Sequence, residues 1–247
     1  MRDKTISKIT KWLKDELKSA KAKGFVLGLS GGVDSAVCAA LIKRASKNCL
    51  GLILPIESDV HDLDDAAEVA VQLNLKTQYL DLTPVYENLT KFLPGNNRVA
   101  LGNIKARLRM VVLYYYANIN NYLVCGTGNK TELSLGYFTK YGDGGCDLLP
   151  LGDLYKFEVI ELAKVLNIPE KIIKKVPSAG LWSGQTDEEE IGFSYDEMDK
   201  SLQAIEKGKI VGKIGKKLHA MIKTSEHKRR LPKIFYLKSK ISDSKFK

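Results

Sequence analysis

The chain has 247 residues, 44% of them hydrophobic and 28% charged. That suits a water-soluble protein able to bury a sizeable core as one large α/β domain or two small ones. No apolar run approaches the roughly 20 residues that span a bilayer. The first 17 residues are charged throughout and lack a small-residue cleavage site, so neither a membrane anchor nor a secretory signal is expected and the chain reads as cytoplasmic.

In chain order, residues 3–22 are expected to form a helix, with Ile6, Ile9, Trp12, Leu13 and Leu17 on one face. Residues 25–29 are a continuous apolar run, too short for a helix and typical of a strand buried on both faces. A helix over 33–47, a second buried strand over 49–55, and a helix over 57–74 with an acidic first turn follow. A third strand is expected over 77–82, a long helix over 96–121, and a fourth strand from Tyr122 into the Gly/Thr turn that ends at Asn129. Residues 136–150 are a glycine-rich loop with three charges, long enough to be a lid or substrate loop. A helix over 153–167, with Asp153 as its N-cap, leads into a turn-rich connector over 176–202. The last helix, over 209–223, places Ile210, Ile214, Leu218 and Met221 on one face. Strands alternating with helices predict a doubly wound parallel sheet with helices on both faces, as one domain. Ligands of such sheets bind beyond the carboxyl ends of the strands.

The four cysteines are widely spaced with no C-x-x-C pair, so they are expected to be free, with Cys38, Cys49 and Cys125 buried in apolar runs. The net charge of +10 is uneven. Residues 207–247 hold 14 Lys and Arg against 2 Asp and Glu, whereas the preceding 206 residues hold 25 against 27. The C-terminal segment either meets a polyanion or aims lysines at a phosphorylated small molecule.

After the first strand the chain reads Ser30-Gly31-Gly32-Val33-Asp34-Ser35. Backbone N–H groups around two glycines, at a helix start, can close on phosphate oxygens. A Walker lysine is missing, and Asp34 would repel a phosphate unless Mg²⁺ lay between them. The bland reading of the same residues is a strand–helix turn with a Ser/Asp cap.

S-G-G-x-D-S resembles the pyrophosphate loop of the N-type ATP pyrophosphatases, which split ATP between the α and β phosphates. The stretches "GNIKARLRM", "GTGNKTELSLGYFTKYGDGGCDLLPLGDLYK", "VPSAGLW" and "DEEEIGFSYDEMD", in this order, are similar to ammonia-dependent NAD synthetases over nearly the whole chain. The resemblance implies a Rossmann-like, adenine-nucleotide alpha-hydrolase-like fold and a tight homodimer. It implies ATP-dependent amidation of deamido-NAD through an acyl-adenylate, with AMP and pyrophosphate released.

Position by position, it implies that Gly28, Leu29, Ser30, Gly31, Gly32, Val33, Asp34 and Ser35 contact ATP, together with Thr127, Lys156 and Ser178. Asp34 and Glu132 would hold Mg²⁺, and Arg107, Lys140, Asp147, His227 and Lys228 would contact deamido-NAD. Asp34, Lys156 and Asp147 are the expected catalytic residues. Taken singly, Glu132 reads as a first-turn helix acid, Lys156 and Arg107 as helix-surface cations with Arg109 facing elsewhere, and His227 as a solvated histidine. Tyr114, Tyr115 and Tyr116 fit a subunit interface or plain core. Glutamine-using members carry an N-terminal amidase domain. Here the loop starts about 30 residues in, so a single domain over 1–247 using free ammonia is expected.

Two rivals share the loop. A tRNA-modifying ATP pyrophosphatase would lay the basic C-terminus along RNA, but thiolating members need paired cysteines and the segment has few aromatics for base stacking. A non-catalytic nucleotide sensor would not need both Asp34 and Glu132. No nucleic-acid or membrane partner is therefore expected.

Overall fold

The computed structural model describes residues 2–182, 184–235 and 237. Short apolar runs form four parallel strands, β1 (Gly24–Gly28), β2 (Cys49–Ile53), β3 (Lys76–Tyr79) and β4 (Tyr122–Val124), in the order β3-β2-β1-β4. Their helices are α1 (Arg2–Ser19), α2 (Val33–Ala45), α3 (Val60–Gln72), α4 (Thr83–Thr90), α5 (Arg98–Asn120) and α6 (Lys130–Leu135). After β4 and α6 come α7 (Lys156–Val165), α8 (Glu170–Ile173), α9 (Asp187–Ile191), α10 (Tyr195–Glu206) and α11 (Gly212–Thr224). The sheet is doubly wound, as expected. The chain moves outward from β1 to β3 and then returns to the far side of β1, so the switch point lies between β1 and β4. Ligands of such sheets bind at that crevice.

Alternation along β1 sorts the core. Phe25 and Leu27 face one layer with Leu13 of α1, Val37 and Leu41 of α2, Val159 of α7 and Ile172 of α8. Val26 faces the other layer with Leu50, Leu52 and Val124, under Met110, Leu113 and Ala117 of α5 and Tyr86 of α4. Each such side chain contributes about 1.5–3 kcal/mol on full burial. A third cluster joins α6, α10 and α11 through Leu135, Met198, Leu202 and Leu218.

Several expectations are corrected. The connector after Val176 contains two helices, α9 and α10, each starting at a hydroxyl cap. Thr186 accepts from Glu189 N–H and Ser194 from Glu197 N–H. These S/T-x-x-E boxes were the available signal, and the glycine and serine between them masked it. Two more short helices, α4 and α6, lie in stretches given no element from sequence, and Glu132 stands in the first turn of α6, as it reads singly. β3 is a largely exposed edge strand ending at Tyr79, and Leu80 beyond it is exposed. Asp153 is not a cap. It is solvent-exposed and pairs with Lys130 at 3.2 Å, while the cap of α7 is Tyr155, two residues later, whose N–H donates to Glu158 at 2.9 Å. Trp12 is exposed rather than on the buried face of α1, and Ile210 is exposed and precedes α11. The four cysteines are free, three of them buried. Among the described residues no helix is long and apolar enough to cross a membrane. Residues 238–247 of the basic segment lie outside the described residues.

The third cluster is fastened to the sheet by one carboxylate. Asp199 of α10, only 2% exposed, accepts from the Thr131 hydroxyl of α6 and, at 3.2 Å, from Phe157 N–H of α7. Asp199→Ala should therefore cost about 2–3 kcal/mol, because two buried donors lose their acceptor. Denaturant unfolding followed by circular dichroism measures this, and a loss under about 0.5 kcal/mol would contradict it.

Candidate active site

The Ser30–Ser35 loop is held by its own hydroxyls. Ser35 donates to Gly32 O at 2.9 Å and accepts from Ser30 N–H at 3.3 Å, and the two hydroxyls lie 3.1 Å apart. Gly31 has φ +78°, and a Cβ there would stand 2.3 Å from Asp62 O in the first turn of α3. Only glycine lets the loop lie this close to α3 with that backbone sign. Gly32 caps α2 without a side-chain bond, so the amides of the first turn face the crevice.

Asp34, in that first turn, is the hub of the site. Its Oδ1 accepts from Asn129 Nδ2 at 3.0 Å and its Oδ2 pairs with Lys156 Nζ of α7. Asn129 is fully buried and caps α6: its Oδ1 accepts from Glu132 N–H at 3.0 Å, and Glu132 returns the bond to Asn129 N–H at 3.1 Å. One asparagine thus ties Asp34 to Glu132. The Tyr195 hydroxyl of α10 donates to Asp187 Oδ2 at 2.8 Å and lies 3.4 Å from Glu132 Oε1. Lys156 is 3% exposed, with its Nζ 5.0 Å over the Tyr195 ring.

This crowding sets the charges. Burial, and then the negative charge of Asp34, push the Glu132 carboxyl up to about 8. Burial draws Lys156 down, but Asp34 and Glu132 outweigh it and hold the ammonium above the usual lysine range. Burial also raises Asp187 above the usual carboxylate range.

The cluster lines one wall of a cleft of about 440 Å³ beyond the carboxyl ends of β1 and β4, within the size range of small-molecule sites. Of the residues expected to contact ATP and metal, Gly28, Leu29, Ser30, Gly32, Val33, Asp34, Ser35, Thr127, Glu132, Lys156 and Ser178 line it. Gly31 instead packs on α3. Ser178 is exposed at the cleft's edge, its hydroxyl accepting from Gly180 N–H at 3.1 Å. Residues expected to meet deamido-NAD gather on a rim: Arg107 Nε donates to Lys140 O at 3.3 Å, and Lys140 Nζ to His227 O at 2.7 Å. Lys228 donates to Gly136 O and Phe138 O at 2.7 and 2.8 Å, and of this group it alone lines the cleft. Asp147 stands apart from Asp34 and Lys156, accepting from Tyr114 O–H at 2.8 Å and Val124 N–H at 2.7 Å.

Sequence reading missed several lining residues. Arg109 does not face away: it lines the cleft, donating to Leu54 O at 2.9 Å, while Arg107 is exposed. Asn129 was legible from its N-x-x-E capping box. Tyr137 lies in the glycine-rich loop expected to meet substrate, and Trp182 and Asp187 in stretches that carry the resemblance, but none was singled out; with Gln185, the segment around α9 reaches the cleft only through the tertiary fold.

Glu132 should make the ligand-free protein sensitive to pH. Its carboxyl keeps a proton to about 8 when folded but loses it near the ordinary glutamate value, 4.5, when unfolded. The folded state binds more protons across that window, so this group's contribution to stability falls as pH rises from 4.5 to 8. Glu132→Gln keeps an acceptor for Asn129 N–H and removes the titration. Thermal unfolding at pH 5 and pH 8.5 should show a gain over wild type that grows with pH, on the order of 1–3 kcal/mol. A gain that shrinks with pH would refute the assignment.

A family model described as NAD synthase matches residues 5–232. The NH(3)-dependent NAD(+) synthetase of Finegoldia magna is 50% identical, over 92% of this chain and 93% of its own length. Among solved structures, NMN synthetase from Francisella tularensis superposes with a TM-score of 0.89 at 41% identity, covering 95% of this chain and 98% of that one. NH3-dependent NAD synthetase from Campylobacter jejuni superposes with a TM-score of 0.85 at 35% identity, covering 96% and 99%. With a matched model and relatives spanning nearly its whole length, the chain belongs to the NAD synthase family of ligases.

Proposed function

We propose that the chain amidates the nicotinate carboxylate of deamido-NAD with free ammonia, driven by ATP. The observation that carries this reading is the buried Asp34–Asn129–Glu132–Lys156 cluster beside the Ser30–Ser35 loop, inside a cleft with a basic rim. A carboxylate is a poor acceptor for ammonia, and AMP is a far better leaving group than oxide, so the acid must first be adenylated. The loop amides and the α2 N-terminus receive the departing pyrophosphate. Lys156, held by Asp34 at the cleft wall, supplies positive charge beside the phosphates, where preorganised charge is worth most. The rim of Arg107, Lys140, His227 and Lys228 fits the phosphates of a dinucleotide.

Among the described residues no group of three or more His, Cys, Asp or Glu forms a metal site by itself. Asp34 and Glu132 fit Mg²⁺ all the same, since Mg²⁺ is typically bound by one or two carboxylates plus substrate phosphates. Their mutual repulsion is what a divalent cation relieves. Bound there, Mg²⁺ would neutralise phosphate charge. Asn129 holds both carboxylates in place, by its Nδ2 to Asp34 and its backbone N–H to Glu132.

A second reading keeps this chemistry and changes the acid. The Francisella tularensis relative is an NMN synthetase, so nicotinate mononucleotide is the competing substrate. The curated relative at 50% identity, named for NAD, favours the dinucleotide. Purified protein given ATP, Mg²⁺, ammonium and each acid in turn should release AMP and pyrophosphate, with the higher kcat/KM on deamido-NAD. Release of ADP and phosphate would defeat both readings, and a preference for the mononucleotide would defeat the first. Asp34→Asn should lower kcat on the order of 100-fold while the protein stays folded.

The expected homodimer is supported by α5, where Val111, Tyr115 and Ile119 form an exposed stripe at four-residue spacing. Tyr115 is the interface tyrosine. Tyr114 instead bonds Gly145 O and Asp147, and Tyr116 bonds Gln78. An apolar stripe of this kind suits a self-complementary contact. Tyr115→Glu should convert a dimer to a monomer by light scattering, whereas a monomeric wild type would reject the assignment.

A further inference from the structure

One wall of the cleft holds chemistry that neither the phosphate loop nor the basic rim uses. Asp187, the first residue of α9, is 4% exposed and lines the cleft. Its Oδ2 accepts from Tyr195 O–H, but its Oδ1 is buried with no hydrogen-bond partner. A buried carboxylate oxygen without a donor is costly and calls for a ligand. The neighbouring hydroxyl and amide are directed mainly elsewhere. Tyr137 faces Asp187 but donates to Glu190 at 2.8 Å, and Gln185 Nε2 is spent on Glu190 at 2.9 Å and the Tyr137 oxygen at 3.5 Å.

The missing partner is therefore a donor, small and cationic. Asp187 and Glu190 add two acidic groups to a wall that already holds the Asp34 carboxylate and the Glu132 carboxyl beside one buried ammonium, that of Lys156. Tyr137 lines it, and the buried Tyr195 behind it already carries Lys156 Nζ 5.0 Å above its ring. Aromatic rings beside carboxylates suit a weakly hydrated monovalent cation. They suit Mg²⁺ poorly, because it keeps its waters and demands near-octahedral oxygen ligands.

We propose that Asp187, with Tyr137 and Glu190, forms the subsite that collects ammonium for the amidation. The proposal rests on the ammonia-dependent reading above. The position of Asp187 fits this role, because Tyr195 bridges it to Glu132 and the collected nitrogen enters one side chain away from the phosphate-binding cluster. The collected ion gives one proton to the Asp187 carboxylate; the resulting ammonia forms the C–N bond as the acyl–oxygen bond to AMP breaks, and the second proton lost from nitrogen leaves to solvent.

The test measures steady-state kinetics with ammonium chloride varied at saturating ATP, Mg²⁺ and deamido-NAD. Asp187→Asn should raise KM for ammonium at least tenfold while moving KM for ATP and the Mg²⁺ requirement less than twofold. Tyr137→Phe, which leaves the α9 backbone and the Tyr195 bond intact, should raise KM for ammonium several-fold, so a poorly folding Asp187→Asn does not end the test. Crystals of the wild-type protein soaked in thallous acetate, a monovalent probe of similar size, should show an anomalous peak on Asp187 Oδ1. An unchanged KM for ammonium in a folded variant overturns the proposal, as does a shifted Mg²⁺ requirement, which would make Asp187 a metal ligand. A wild-type protein that forms no amide from ammonium defeats the proposed function instead, and the thallium peak then decides the cation site alone.

Discussion

The contact between Asp34 and Lys156 is the one on which the rest of the site depends. It joins the turn after β1 to the start of α7, two elements 122 positions apart in the chain. Through Asn129 it also reaches the turn after β4. Burying such a pair is expensive, because both charges leave water and their attraction seldom repays the loss in full. Here the pair is only part of a larger imbalance, since Glu132 and Asp187 lie nearby with no second buried lysine among the groups that shift them. A fold selected for stability alone would replace this group with apolar side chains. Its retention at the carboxyl ends of the central strands is the mark of a binding site whose charges are completed by substrate.

The fold serves that cluster in two steps. The central sheet fixes Asp34 and Thr127 on the two sides of the switch point, because β1 and β4 are neighbours in register from Gly24–Tyr122 to Val26–Val124. The α6–α10–α11 unit then closes the remaining wall. Its attachment through Asp199 to Thr131 and Phe157 brings Tyr195 and Asp187 against Glu132. Small shifts of α10 would thus be felt directly at the carboxylates.

The doubly wound sheet was legible because its signals are local: short apolar runs, glycine turns, and helices of regular period. The phosphate loop and its carboxylate were legible for the same reason, as Ser30 to Ser35 lie within a single turn. Less legible was whatever depends on the approach of distant segments. Lys156 reads singly as a surface lysine, yet it is buried by Asp34 and Tyr195, neither of them near it in sequence. Arg107 and Arg109 are two residues apart on one helix, and only packing decides that Arg109 faces the cleft. Asp187 sits in a segment whose turn residues hid two short helices. Its unpaired oxygen is a property of the packed state, with no counterpart in sequence.

The two walls of the cleft divide the work of choosing substrates. In the proposed reaction the wall of Asp34, Glu132 and Lys156 would meet the phosphates and the transfer of AMP, which is the same step whether the acid is a mononucleotide or a dinucleotide. Arg107, Lys140 and His227 of the rim lie outside the cleft lining that Lys228 reaches, and the cations Arg107, Lys140 and Lys228 are tethered to backbone carbonyls rather than to carboxylates. Carbonyl tethers orient a cation without neutralising it, so the rim keeps its positive charge for an incoming anion. A dinucleotide carries a second phosphate and a second base, whereas a mononucleotide ends sooner. Under the proposed function, substrate length would be read at the rim. This accounts for how relatives named for NAD and for NMN can share one fold so closely: the expensive buried chemistry stays fixed, while specificity rests on exposed residues that can change at little cost to stability.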